Sequence, residues 1–281
     1  MEIKFDNVSF VINERTPLEK TILNNISFSF KGNGIYSFVG SSNSGKSAIG
    51  DLINALISPT RGKVKIGKFV NDGSKIKDID KLRFETGYVF KNPYDMFFNK
   101  TVREELEFGM KYFKYKMHKM NIRTADALTL VGLGEEYLDF DPHILKLVDA
   151  KKVALACALI HNPNIIILDE FTCGLGYKDK KDLERLLRLL KTKYNKMIIL
   201  LTKDTSFAYE ISDEIYLMYA TKLVCSNKDK SVLRDEELLN NIGLEVPPIV
   251  SFINACNKKG NEIYHYMNIH DLIKGVYRDV F

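Results

Sequence analysis

Tryptophan is absent from this 281-residue sequence, and its four cysteines, Cys157, Cys173, Cys225 and Cys256, stand far apart with no CxxC pair. Such spacing gives neither a disulfide framework nor a cysteine-rich zinc site. Each cysteine is flanked by core-like residues, so the sequence predicts four buried, reduced thiols in a cytosolic protein. Long apolar stretches are missing as well: runs such as IIIL and MIILL fall far short of the roughly 18 residues needed to cross a bilayer. The opening MEIKFDNVSF carries acids and alternates, unlike a secretory signal. Strong charge is the third absence. Lys and Arg exceed Asp and Glu by only 41 to 36, and basic clusters alternate with acids, so composition does not point to nucleic acid. His118, His143, His161, His265 and His270 show no metal-ligand spacing and read as surface or structural residues. No repeat, low-complexity tract or heptad series is present.

What is present is an ordinary globular composition, 45% apolar and 27% charged, which excludes a disordered or fibrous chain. The length suits two unequal parts. Short β-like runs (EIKF, ISFSF, IYSFV, KVKIG) crowd the first third. Further on, strand and helix alternate: TGYVF, a helix from TVREELEFGM, the helix VALACALI, the strand NIIILDE, the helix KDLERLLRLLKTKY and the strand MIILLT. Alternation of this kind predicts an α/β fold, a parallel sheet with helices packed on it. A last strand pair (IYLMYA, KLVCS) leads into the polar CSNKDKSVLRDEE. A boundary near Asp235 then separates residues 1–235 from a small helical tail, 236–281. The aromatic and basic stretch TVREELEFGMKYFKYKMHK is expected to be a helix with one core face and one solvated face.

Two segments carry chemistry. The stretch GSSNSGKS follows the apolar run IYSFV and opens a segment of helical periodicity, so Gly40, Ser41, Ser42, Asn43, Ser44, Gly45, Lys46 and Ser47 form a phosphate-binding loop between strand and helix. Its glycines let backbone N–H groups turn toward phosphates, Lys46 reaches the β/γ-phosphates, and the Ser47 hydroxyl ligates Mg²⁺. The strand NIIILDE supplies the acids that complete such a site. Asp169 is expected to hold Mg²⁺ through its water shell, and Glu170 to polarise the attacking water.

The phosphate loop, the run GYVFKNPYDMFFNKTVREELEFGM, the run VALACALIHNPNIIILDEFTCGL and the strand MIILLT, in that order, resemble ATP-binding-cassette (ABC) ATPases. More narrowly, GYVFxNP followed by TVxEExxFG and the tail IGLEVPPIV resemble the ATPases of energy-coupling-factor (ECF) transporters, which take up vitamins and trace metals in bacteria. The resemblance implies a P-loop NTPase fold with a RecA-like parallel sheet, an antiparallel β subdomain, a helical subdomain spanning about 92–159 and a C-terminal helical extension. It implies ATP and Mg²⁺ as ligands, a second and non-identical ABC ATPase subunit, a transmembrane coupling subunit, and a separate substrate-binding membrane subunit that chooses the solute. It implies a place at the cytoplasmic face of the membrane and no nucleic acid partner. Phe97 and Phe98 would help form the groove that receives a coupling helix.

The resemblance also exposes departures. Where the family signature Leu-Ser-Gly-Gly-Gln belongs, this chain has Leu145-Lys146-Leu147-Val148-Asp149, which interposes side chains and a negative charge at a helix start that otherwise approaches the partner's γ-phosphate. Lys91 replaces the glutamine that senses Mg²⁺ and water. Lys203 replaces the histidine after the last core strand, and while protonated it has no lone pair to accept a proton. Gly176 stands where the inter-chain loop has aspartate. Ile12 takes the place of the aromatic that stacks on adenine, with Phe10 nearby but turned inward by alternation. Two readings follow: a binding shell in which hydrolysis is slow or lost, or a working site in which Lys91 and Lys203 act as substitute cationic clamps. A soluble cassette acting on nucleic acid is the third and weakest, since there is one cassette and the charge is modest.

Overall fold

In the computed structural model the described residues are 1–227, 230–259, 263, 266 and 269–280; His265 lies outside them. The chain opens with β1 (Glu2–Ile12), β2 (Lys20–Lys31) and β3 (Gly34–Gly40), followed by α1 (Lys46–Ile53), β4 (Arg61–Ile66), β5 (Phe69–Asn71), α2 (Ile79–Glu85) and β6 (Thr86–Val89). Three helices come next, α3 (Val102–Tyr112), α4 (Met117–Leu130) and α5 (Leu147–Leu159). Then strand and helix alternate through β7 (Ile165–Asp169), α6 (Tyr177–Thr192), β8 (Met197–Thr202), α7 (Thr205–Ile211), β9 (Glu214–Tyr219) and β10 (Lys222–Asn227). The chain closes with α8 (Glu236–Asn241), α9 (Pro248–Lys258) and α10 (Ile269–Val280).

Among the described residues the strands form two sheets, one of order β2-β1-β4-β5 and one of order β10-β9-β3-β8-β7-β6. The first is antiparallel and half-buried, which is why β2 alternates: Leu23, Ile26, Phe28 and Phe30 point inward while their neighbours face solvent. In the second, β9, β3, β8, β7 and β6 run parallel. Strands β3, β7 and β8 are buried along their whole length, which explains their near-continuous apolar character. A layer of aromatic rings joins the two sheets. Phe38 of β3 lies 5.0 Å from Phe28 and 4.8 Å from Tyr216, and Phe28 stacks on Phe5 at 4.4 Å.

Helices cover the other face of the parallel sheet. Helix α6 buries the stripe Leu183, Leu187 and Leu190 and leaves its charges outside. Helix α3 starts on a capping box, with Thr101 accepting from the Glu104 N–H and Glu104 reaching back to Thr101. It buries Val102, Leu106 and Met110. The single helix expected over TVREELEFGMKYFKYKMHK is in fact two, since the chain leaves α3 after Tyr112, passes through Lys114 at φ 58° and re-enters helix at Met117. Packing drives the break: Phe113 turns in against Phe84 and His161, at 4.7 and 5.2 Å between rings. The outer side of α3 is also less polar than expected, because Phe108 and Tyr112 are exposed and Phe108 meets the exposed Phe98 edge to face.

Beyond residue 235, Leu239, Ile242, Leu244 and Val250 share one buried cluster with Val39, Ala208, Tyr209, Ile215 and Leu217. The thiols correct an expectation. All four cysteines are free, but Cys173 is exposed and the other three are half-buried, because Cys173 sits on the turn that leaves the sheet after β7. No helix among the described residues is long and apolar enough to cross a membrane.

Because Phe38 is fully buried where both sheets meet, Phe38→Ala is expected to cost about 3–5 kcal/mol. Phe38→Leu is expected to cost markedly less; chemical denaturation of the two variants measures the difference.

Candidate nucleotide site

The loop 40–47 begins on the last residue of β3 and ends on the first turn of α1. Glycine is obligatory at Gly45, whose φ is 97°, and a Cβ there would sit 2.6 Å from the Ile22 carbonyl oxygen. Gly40 is equally constrained, since a Cβ would lie 2.4 Å from the Met218 carbonyl oxygen on β9. Lys46 folds back into the loop. Its Nζ donates to the Gly40 carbonyl at 2.7 Å, the Ser41 carbonyl at 2.9 Å and Ser44 Oγ at 3.4 Å. The ammonium is 5% exposed and stands 3.5 Å from Glu170 Oε1. Burial pulls its pKa down, and Glu170 opposes that shift.

Asp169 and Glu170 come to this loop from the end of β7. Asp169 is buried and its carboxylate takes a hydrogen bond from the Ser47 hydroxyl. Its Oδ1 has no partner among the described residues. Burial raises the Asp169 pKa, with the Ser47 bond acting against the rise. An orphaned carboxylate oxygen beside a hydroxyl, both aimed at a phosphate loop, is an oxygen donor set that fits Mg²⁺. Glu170 adopts a left-handed backbone, φ 44°. Its N–H donates to the Leu201 carbonyl at 2.7 Å, and its Oε2 accepts from the Lys203 N–H at 3.2 Å. Glu170 is thus fixed by both neighbours in the site.

Of the altered positions, Lys203 is brought to the site and Lys91 lies within electrostatic reach of it. Lys203 is exposed and lines a cavity of about 710 Å³ together with Ser41, Ser42, Glu170 and Cys173. Lys91 is exposed after β6, and its charge pushes the Lys46 pKa down further. Ser42, Asn43 and Ser47 are exposed on the loop, Ser44 is buried in it, and Asn43 is left-handed at φ 64°. Ile12 pairs with Lys20 at the end of β1, outside the hydrogen-bonded cluster that joins the loop to Asp169 and Glu170. Phe10 is partly buried against the core beneath the antiparallel sheet.

The signature position forms the start of α5, with Lys146 as its N-cap and no capping side chain. Asp149 hydrogen-bonds the Tyr137 hydroxyl. Leu147 lies against Gly174, where a Cβ would come within 2.9 Å of its Cδ2. Gly176 caps α6 with extended backbone, and a Cβ there would meet Asp179 Oδ2 at an ordinary contact distance of 3.7 Å. Phe97 is buried, whereas Phe98 is 62% exposed.

Sequence reasoning missed Lys151. Its ammonium is 2% exposed and donates to the carbonyls of Glu170, Phe171 and Cys173 at 3.2, 2.8 and 2.6 Å. Burial lowers its pKa. A signal was available: the lysine falls among residues of helical apolar periodicity, where a charge needs partners.

The family model described as ABC transporter matches residues 23–173. The energy-coupling factor transporter ATP-binding protein EcfA2 of Caldanaerobacter subterraneus subsp. tengcongensis is 32% identical over 260 residues, 92% of this chain and 91% of that protein. The chain belongs to the ABC ATPases of the energy-coupling-factor class. EcfA2 of Clostridium perfringens is 30% identical over 94% of this chain and 92% of its own. Among solved structures, a dimeric ATP-binding cassette in a post-hydrolysis state, bound to ADP and phosphate, superposes with a TM-score of 0.74 at 25% identity, covering 81% of this chain and 98% of that one. The expected architecture holds: a P-loop ATPase with a parallel core, an antiparallel sheet and helices. ATP is the nucleotide this family binds.

A buried, half-partnered carboxylate opposes folding while it favours a cation. Asp169→Asn is therefore expected to raise the unfolding free energy of the nucleotide-free chain by an amount on the order of 1 kcal/mol, and to abolish most of the further stabilisation on adding Mg-ATP. The sign with pH follows. Since the folded pKa of Asp169 is raised, its effect is absent below the unfolded carboxylate range and grows as pH rises through the folded value. The gain from Asp169→Asn in thermal melts should therefore shrink as the pH is lowered.

Proposed function

We propose that this chain is the ATP-binding subunit of an ECF-type transporter, the altered half of a pair with a different ATPase chain. It would lie against the cytoplasmic face of the membrane through a transmembrane coupling subunit, with the solute, a vitamin or trace metal, chosen by a substrate-binding membrane subunit. The observation that supports hydrolysis at this chain's own site is the placement of Glu170. Its carboxylate faces Lys46 Nζ on one side and the Lys203 N–H on the other, beside the loop.

The residues divide the work. Loop N–H groups and Lys46 hold the β- and γ-phosphates, and Ile12 borders the base without stacking on it. Asp169 and Ser47 would hold Mg²⁺, which supplies charge neutralisation between phosphates. Glu170 accepts the proton of the attacking water. Phosphoryl transfer asks mainly for positioning and for positive charge around the γ-phosphate oxygens. Lys91 and Lys203 provide that charge as ammonium groups, replacing the neutral groups that relatives of this pattern use. The replaced signature and Gly176 are contributed to the partner's site, so both composite sites carry altered groups. Residues 1–235 would form the ATPase, with 92–159 its helical subdomain, and 236–281 an extension.

The exposed Phe98 and Phe108, meeting edge to face at 4.5 Å beside α3, support this region as the surface for the coupling subunit. A non-hydrolysing scaffold is the second reading, favoured by the lysines at 91 and 203 in place of the groups that sense water and the γ-phosphate.

The test is the ATPase rate of the complex purified through a tag on this chain, with co-purifying chains identified by mass spectrometry. Glu170→Gln is expected to lower kcat by about 10²-fold or more, with ATP affinity retained. An unchanged rate selects the scaffold reading, and a stable, hydrolysing homodimer would sink the heterodimer.

A further inference from the structure

The turn from Glu170 to Gly174 leaves the sheet with a left-handed residue at its head and an exposed cysteine near its end. Left-handed backbone at a glutamate persists only where the surroundings determine it. Strand β8 supplies part of that support through the Leu201 carbonyl, which accepts from the Glu170 N–H at 2.7 Å. On the carbonyl side the Glu170 oxygen accepts from the Cys173 N–H within the turn at 3.1 Å, and the support from outside the turn is one ammonium group. Lys151 Nζ reaches the oxygens of Glu170, Phe171 and Cys173, at 3.2, 2.8 and 2.6 Å, and lies over the Phe171 ring at 5.6 Å. An ammonium has three donors and no acceptor, and all three point at this turn.

Lys151 belongs to α5, not to the turn. Leu147 and Lys151 are four residues apart and therefore share a face of the helix. That face seats on the turn at both ends, with Leu147 against Gly174 and Lys151 under the 170–173 carbonyls. The next residue, Lys152, pairs with Asp179 of α6 at 3.4 Å. The start of α5 and the backbone that carries Glu170 are consequently one mechanical unit.

We propose that Lys151 is a positioning residue for hydrolysis: it fixes the backbone of the 170–173 turn, and through it the Glu170 carboxylate, relative to the first turns of α5. This rests on the reading of Glu170 as the group that activates water. A displacement of α5 moves Glu170 with it, so the catalytic carboxylate senses where the partner-facing end of α5 lies.

The test uses the purified complex with Lys151→Met, Lys151→Arg, Glu170→Gln and the double variant Lys151→Met/Glu170→Gln; Lys151→Gln replaces Lys151→Met should the latter not assemble. Lys151→Met is expected to lower kcat about 10- to 100-fold while KM and the affinity for a fluorescent ATP analogue stay within about twofold of wild type, with Lys151→Arg recovering most of the loss. In the Glu170→Gln background, Lys151→Met is expected to add no further loss, because both act through one group. Amide hydrogen exchange gives a readout independent of turnover: exchange of a peptide covering residues 169–174 should rise in Lys151→Met with the remaining sheet unchanged. Multiplicative losses in the double variant, or a fall in affinity parallel to kcat, overturn the proposal. If Glu170→Gln alone leaves the rate unchanged, the reading of Glu170 falls, and exchange still decides the lysine: unchanged protection over 169–174 overturns its holding role, and lost protection upholds it.

Discussion

The site depends on the in-register pairing of three parallel strands. Strand β3 runs beside β8 with Val39 opposite Thr202, and β7 runs beside β8 with Asp169 opposite Leu201. Gly40, Glu170 and Lys203 each follow directly on those residues, so three segments distant in sequence leave the sheet at one carboxyl edge. Open α/β sheets bind ligands at that edge, where strands end and loops take over. The strands can be buried on both faces because their side chains are apolar up to the last residue or two, save Ser37 of β3, whose hydroxyl pairs with that of Ser212. A one-residue slip of β7 would turn Asp169 and Glu170 to the opposite faces and separate both from Lys46.

Charge is concentrated where that edge is driest. Lys46, Asp169 and Glu170 are all buried, so the two carboxylates depend on the Lys46 ammonium and the loop rather than on water, and repel each other. Burial acts on Lys46 and Asp169 in opposite senses, lowering the first pKa and raising the second. Both shifts come first from burial, which withdraws water from charged groups. Lys91 and Lys203 stand at the solvent side of the same centre. There a second and third ammonium cost little in desolvation yet still act on whatever anion the loop holds.

Local chemistry was legible in the sequence, and tertiary chemistry was not. The phosphate loop announces itself because glycine, lysine and serine must occur at fixed spacing between a strand and a helix, and NIIILDE because a doubly buried strand has no place for acids except its end. The burial of β3, β7 and β8 followed from the same apolar runs. The break at 113–116 could not be read this way: it exists because Phe113 packs on Phe84 and His161, which come from distant segments. The thiol of Cys173 misled for a related reason, since its apolar neighbours along the chain are not its neighbours in space. The altered signature was visible as a departure, but its consequences were not. Only the fold shows Asp149 engaged by Tyr137 and Leu147 laid against Gly174.

Those two contacts change what the departure means. A negative charge at the start of α5 would oppose a partner's phosphates if it pointed away from its own chain; hydrogen-bonded to Tyr137, Asp149 is drawn into this chain's helical layer instead. Leu147, packed on Gly174, couples the helix start to the turn that bears Glu170. The glycines of the usual signature leave a helix start bare so that another chain's nucleotide can approach. Leucine and valine at the same place give up that approach, and Leu147 gains contact within the chain. On the proposed reading of this chain as one half of an ATPase pair, the features lost at the start of α5 would serve the partner's nucleotide, while its own site would keep Lys46, Asp169 and Glu170 and carry the altered Lys91, Lys203 and Ile12.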